Sequence, residues 1–323
     1  MNTRGREENQ QNQLARIREE LLRWFKENAR DLPWRRTRDP YAILVSEVML
    51  QQTQVDRVFP YYTRFLERFP TVQALAAAPT SDVIRIWSGL GYNRRAVNLQ
   101  RAARTVVDER GGTFPEDPAE LKKLPGIGAY TAGAIAAFAY ERDVAFLDTN
   151  MRRVVSRVIF GSESAPESDA IKSATTLLPP GHGWIWNQAL IEFGALQCTA
   201  RRPACIICPL REECAAYPTM QIALQRRSSP SSRAKTEPFE STTRYYRGRI
   251  VEALRALPED EPDGIPLPEL GLRVREDFTS ENLPWLRELV DGLQRDGLAR
   301  VAEDSPPYDA DRESAADLRV RLP

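Results

Sequence analysis

The sequence has one histidine in 323 residues, His182, and it sits in Pro-Gly-His-Gly. That scarcity leaves no support for a serine–histidine–aspartate hydrolase. There is no apolar run of bilayer length, and the start, MNTRGREENQQNQ, is polar with no secretory core. Both absences predict a cytoplasmic protein with no membrane partner. Net charge is zero as well, with 45 basic against 45 acidic side chains, so the total argues neither for nor against nucleic acid. Strand-like alternation is almost missing, which predicts an all-α architecture with short connections, and no internal repeat is visible.

What is present is unevenly placed. Residues 244–323 hold 12 Lys/Arg against 18 Asp/Glu, a balance of −6, so residues 1–243 carry +6. A polyanion is therefore expected on the N-terminal three-quarters. All four cysteines lie between 198 and 214, a layout for a metal site and not for scattered disulfides. Residues 1–12 read as frayed. Leu14, Ile17, Leu21, Trp24 and Phe25 then recur at helical spacing, so an amphipathic helix covers 13–29. Further helical patterns cover 40–53, 55–69, 72–77, 81–88, 94–110, 117–123, 129–141, 149–159, 167–178 and 184–195. A Ser/Arg/Pro-rich linker is expected over 218–243, a small winged-helix-like module over 244–308, and a disordered tail over 309–323.

Four stretches carry chemistry. Leu-Pro-Gly126-Ile-Gly128 runs into a helix of small residues starting at Tyr130. Its glycines admit positive φ and close backbone approach, and the helix start offers N–H groups to a phosphate. Glu47 lies in Tyr-Ala-Ile-Leu-Val-Ser-Glu-Val-Met-Leu. Apolar surroundings of that kind raise a carboxyl's pKa and suit it to general acid work. Asp148 ends Val-Ala-Phe-Leu and opens a helix, an N-cap position whose N–H groups are expected to lower its pKa. A tight helix turn, a solvent-facing Glu and an ordinary cap are the plain alternatives to these three. Finally, Cys198-x6-Cys205-x2-Cys208-x5-Cys214 suits either tetrahedral zinc or a [4Fe–4S] cube.

Taken together, SEVMLQQT, GLGY, LPGIGAYTAGAI, LDTN and the cysteine spacing resemble, in the same order, the MutY-type adenine DNA glycosylases of the helix-hairpin-helix / endonuclease III superfamily. The resemblance covers residues 13–217. It implies an all-α fold of two domains with double-stranded DNA and an extruded base between them. One would be a six-helix barrel carrying the helix-hairpin-helix, 33–145. The other would be a cluster domain from 13–32 and 146–217. The small C-terminal module would follow.

The resemblance also implies roles. Glu47 would protonate the departing purine, and Asp148, in the pattern L-D-x-N with Asn150, would stabilise the sugar cation. Gln52 would enter the base stack with Gln51 and Thr53 beside it, and Tyr92 would wedge next to the lesion. Arg30, Leu32, Trp34 and Glu192 would line the base pocket. Gly126 and Gly128 would grip the backbone, Arg201 and Arg202 would reach phosphates, and the four cysteines would hold [4Fe–4S]. Tyr130 stands where the bifunctional branch has its Schiff-base lysine, which implies a monofunctional enzyme.

The expected activity is base-excision removal of adenine mispaired with 8-oxoguanine or guanine, by a nucleoid-associated monomer. A thymine/uracil mismatch glycosylase and a catalytically silent cluster protein are the alternatives. Two features depart from the family. Thr149 stands where adenine glycosylases often have glycine, and the acidic, mostly helical tail stands where a Nudix-like domain is typical.

Overall fold

The computed structural model describes residues 3–220, 238–258, 264–301 and 318–323. Helices dominate, as the periodicity predicts. The first six are α1 (Thr3–Asn28), α2 (Pro40–Leu50), α3 (Val55–Arg68), α4 (Val72–Ala77), α5 (Thr80–Ile86) and α6 (Arg94–Arg110). Then follow α7 (Pro118–Leu121), α8 (Ala129–Ala139), α9 (Thr149–Phe160), α10 (Glu167–Leu177) and α11 (Gly183–Leu196). The C-terminal module supplies α12 (Thr243–Arg255), α13 (Leu267–Val274) and α14 (Leu283–Arg295). It also supplies three short strands, β1 (Ile265–Pro266), β2 (Arg300–Val301) and β3 (Arg319–Arg321). They form one antiparallel sheet in the order β1-β3-β2. No helix among the described residues is long and apolar enough to cross a membrane.

The chain separates into two compact units. The first is Met1–Glu47, Phe114–Lys123 and Ile127–Ser232; the second is Val48–Thr113, Leu124–Gly126 and Arg233–Pro323. These limits do not coincide with the domain boundaries expected from sequence.

In the first unit α1 buries Ile17, Leu21, Trp24 and Phe25 along one stripe, and Trp24 meets Phe193 of α11 edge-to-face at 5.0 Å. Helix α8 is buried on every side from Thr131 to Phe138, which is why it carries no charged face. Gly133 within it is required by packing, because a Cβ there would lie 2.6 Å from Cβ of Phe146. The expectation of a frayed 1–12 is corrected: α1 starts at Thr3. Its first turns are rich in Arg, Glu and Gln, good helix formers that need no apolar face to continue a helix.

In the second unit the module's core of Ile250, Val251, Leu254, Leu270, Leu286, Val290 and Val320 is continuous with Ile84 of α5 and Val97 of α6. It is therefore packed onto the helices before it. The described part of the module, expected to be winged-helix-like, holds three helices and three short strands. The disordered tail is corrected in part. Residues 319–321 form β3, and its Val320 pairs with both Ile265 and Val301. Most of the expected linker, 221–237, and most of the tail, 309–317, lie outside the described residues.

Candidate active site and cluster loop

Glu47 is carried by α2 and is buried, at 5% exposure. One carboxylate oxygen accepts from the Tyr130 hydroxyl of α8, and the other, Oε2, is buried with no hydrogen-bond partner. Burial pushes Glu47 up to about 7, against the Tyr130 hydrogen bond and the Arg35 charge and with help from the Asp148 charge. Tyr130 is held neutral, its pKa raised by burial and by both carboxylates, and its ring meets Phe146 edge-to-face at 5.4 Å.

Asp148 is the N-cap of α9, as expected, and accepts the Met151 N–H at 2.6 Å and the Asn150 side-chain amide at 3.2 Å. The expected direction of its pKa is corrected. Burial raises it, and the N–H bonds of Met151 and Asn150 with the Arg153 charge only partly offset that. Cap identity reveals the donors but not the loss of water around them. The two carboxyls still differ in kind. Asp148 has several donors and a cation, whereas Glu47 has one hydroxyl, so Asp148 ionises first.

Residues that sequence reasoning missed complete this arrangement. Arg153 donates to Asn150 Oδ1 at 2.9 Å, to the Gly194 carbonyl at 2.6 Å and to the Cys198 carbonyl at 2.9 Å. It thereby links the Asp148 cap to the cysteine loop. Gly194 allows this, since a Cβ there would stand 2.8 Å from Cβ of Asn150. Arg157, 2% exposed, donates to Cys198 Sγ at 3.4 Å and to Glu163 at 2.8 Å. Their signal, arginines on the inward face of the helix after LDTN, is weak in a chain with this many arginines.

Arg30 and Glu192 come together as a pair, but Glu192 is wholly buried and takes two cations. Arg30 reaches it at 2.8 and 2.9 Å and Arg35 at 2.9 Å. Burial raises its pKa, yet these hydrogen bonds outweigh burial and bring it down to about 2. Leu32 and Trp34 are buried. Arg201 and Arg202 are exposed.

In the second unit the glutamine turn and the Gly-Leu-Gly-Tyr loop meet on one residue. Arg95, also missed from sequence, donates to the carbonyls of Val48 at 2.8 Å, Met49 at 3.1 Å and Gln51 at 2.5 Å. Its second amine reaches Thr53 Oγ1 at 3.4 Å and the Leu90 and Gly91 carbonyls at 3.3 Å. Two of the three non-glycine residues with positive φ among the described ones are Gln52 at 55° and Tyr92 at 46°. Strain of this kind marks both loops as functional candidates. In the hairpin only Gly126 has positive φ, at 75°. Gly128 caps α8 in extended backbone, with open space where a Cβ would be.

Residues 45–180 match the HhH-GPD superfamily of base excision DNA repair proteins, and 198–214 match the iron-sulfur binding domain of endonuclease III. The adenine DNA glycosylase of Mycolicibacterium smegmatis is 43% identical over 242 residues, 73% of this chain and 79% of that protein. The chain belongs to the adenine DNA glycosylase family of the HhH-GPD superfamily. Mouse adenine DNA glycosylase is 43% identical over 64% of this chain, which spans 43% of that longer relative. Among solved structures, a thermostable thymine-DNA glycosylase aligns with TM-score 0.61 and 30% identity, over 65% of this chain and 99% of that one. A non-covalent endonuclease III–DNA complex aligns with TM-score 0.58 and 25% identity, over 65% and 98%.

A [4Fe–4S] cluster is the cofactor this family loop implies, and the residues fit it. All four cysteines are free and line one cavity beside Arg157. Burial and the neighbouring thiols push Cys208 up to about 12, so its ionisation depends on metal charge. When bound, the cluster supplies Lewis-acid charge that fixes the fold of this loop.

Proposed function

We propose that this DNA glycosylase hydrolyses the N-glycosidic bond of adenine mispaired with 8-oxoguanine or guanine, without cutting the strand. The observation that carries the proposal is the Glu47–Tyr130–Asp148 arrangement. A carboxyl poised near pH 7 sits with a second, better-solvated carboxyl that ionises first. Glu47 gives its proton to the departing purine. Asp148 faces the deoxyribose cation that develops and stabilises it as an ion or through a transient bond, before water completes the hydrolysis. Tyr130 carries no amine and forms no Schiff base, so an abasic site is the product.

Double-stranded DNA enters with its phosphates on the hairpin at Gly126 and Gly128 and on Arg201 and Arg202. Gln52, flanked by Gln51 and Thr53, and Tyr92 fill the stack that the extruded base leaves. Arg30, Leu32 and Trp34 shape the base pocket, with Glu192 anchoring Arg30. The protein acts as a cytoplasmic, nucleoid-associated monomer. A thymine/uracil activity is the second reading, favoured by the likeness to the thymine-DNA glycosylase.

Incubation with duplexes holding A:8-oxoG, A:G, T:G or U:G, followed by alkali, separates them. Alkali-labile sites confined to adenine are expected. Cleavage at T or U overturns the adenine assignment, and binding with no cleavage identifies a silent protein.

A further inference from the structure

The C-terminal module is acidic overall, yet the cavity it shares with α6 is bordered by more arginines than acids. Within α12 the charged residues are Arg244, Arg247, Arg249, Glu252 and Arg255, four basic against one acidic. Together with the Tyr92 loop and the start of α6, this helix lines a cavity of about 790 Å³. Five arginines border it: Arg94 and Arg95 from α6, and Arg244, Arg247 and Arg249 from α12.

The cavity's two acids, Glu252 and Asp296, are already satisfied. Asp296 takes Arg247 at 2.5 Å and Arg94 at 3.4 Å, while Glu252 takes Arg255 at 3.0 Å. Arg95 is committed to backbone carbonyls. Arg244 and Arg249 are exposed and have no acidic partner among the described residues. Arg249 donates from one amine to the Arg273 carbonyl at 2.9 Å and from the other to the Tyr245 hydroxyl at 3.4 Å, so its charge meets only neutral partners. Arg244 lies over the Tyr92 ring, 4.0 Å from its centroid, and 5.8 Å from the centroid of the Phe239 ring. Arg95 lies 5.4 Å from the Tyr92 ring.

We propose that α12 and the Tyr92 loop together form a second DNA-binding groove, in which Arg244 and Arg249 contact backbone phosphates of the duplex that the Tyr92 loop engages. The inference rests on the proposed DNA-facing role of Tyr92. It assigns the module a place on the polyanion that whole-segment charge counting denied it. Charge decides the occupant: two exposed guanidiniums with no acidic partner among the described residues match a phosphodiester strand, with Arg244 aligned by its stacking on Tyr92. An acidic protein surface would also be attracted, but the shared edge with Tyr92 favours the nucleic acid.

The test is fluorescence anisotropy of the full-length, cluster-loaded protein with two 30-base-pair duplexes, one undamaged and one A:8-oxoG, from 50 to 200 mM salt. Losing two phosphate contacts in Arg244→Ala/Arg249→Ala lowers the slope of log affinity against log salt by about 1.8. The ratio of variant to native Kd then narrows about 12-fold across that range, on both duplexes. Arg244→Lys/Arg249→Lys, which keeps the charges, is expected to restore the slope. Circular dichroism and the cluster's visible absorbance report folding. An unchanged slope and Kd in the folded alanine variant overturn the proposal and point to a protein partner. Which base is released does not enter this measurement. Failure of the adenine assignment is therefore distinguishable from failure of the groove.

Discussion

Glu47→Gln is the sharpest perturbation, because one substitution tests chemistry and energetics together. Its folded pKa of about 7 stands above the ordinary value of 4.5. A carboxyl raised by folding contributes stability at low pH, and that contribution is lost as pH climbs from the unfolded toward the folded value. Integrating between pH 5 and pH 8 with these two values gives about 2.5 kcal/mol lost by the native protein. Glutamine does not titrate, so the variant keeps it. The other titrating groups are common to both proteins and cancel in the comparison. The assay is anaerobic urea unfolding of native and variant at pH 5 and pH 8, paired with adenine excision under single-turnover conditions. The native protein is expected to lose about 2.5 kcal/mol more than the variant between the two pH values, while excision by the variant falls to background. An equal pH response in both proteins refutes the buried, neutral-leaning carboxyl, and retained excision refutes the acid.

Tyr130→Phe removes the hydrogen bond that holds Glu47 down, a bond to a charged group worth about 1.5–3 kcal/mol, so the basic limb of the pH–rate profile moves up by about 1–2 units. A limb that stays or moves down contradicts this. Arg95→Ala frees both strained loops and is expected to lower single-turnover excision by roughly 10²-fold with the midpoint of that limb unmoved. A shifted midpoint shows that Arg95 acts on the acid instead. Glu192→Gln leaves Arg35 buried and underpaired, costing about 3–5 kcal/mol in urea unfolding at pH 7. Because the native pKa is depressed to about 2, that stability is present above 4.5 and lost as pH falls toward 2, so the two proteins converge in acid.

Much of the scaffold was legible because its signals are local. The α4 helix falls on 72–77 as the spacing predicts, and Asp148 caps α9. What escaped was non-local. The β3 strand pairs Val320 with residues 55 and 19 positions earlier, and no periodicity in six residues announces that. Both hairpin glycines admit positive φ, but only Gly126 uses it. The arginines were the largest loss. Arg35, Arg95, Arg153 and Arg157 are committed to carboxylates, carbonyls and a thiol, yet in sequence they are indistinguishable from the solvent-facing arginines around them.

Glu47 and Glu192 show why such partners decide the chemistry. In sequence they are alike, Leu-Val-Ser-Glu47-Val-Met beside Ala-Leu-Ile-Glu192-Phe-Gly, and both are buried, at 5% and 0% exposure. One stands near 7 and the other near 2. Five pKa units correspond to about 7 kcal/mol of difference between the charged and neutral forms. Burial cannot supply that difference, since it acts on both. The guanidiniums of Arg30 and Arg35 supply it at Glu192, whereas Glu47 receives one phenol hydroxyl and keeps Oε2 unpaired. An unpaired buried oxygen is costly in the resting protein, about 1–3 kcal/mol. It is tolerable where a ligand atom completes it. The glutamate that folding satisfies is structural, and the one it leaves unsatisfied is free to transfer its proton.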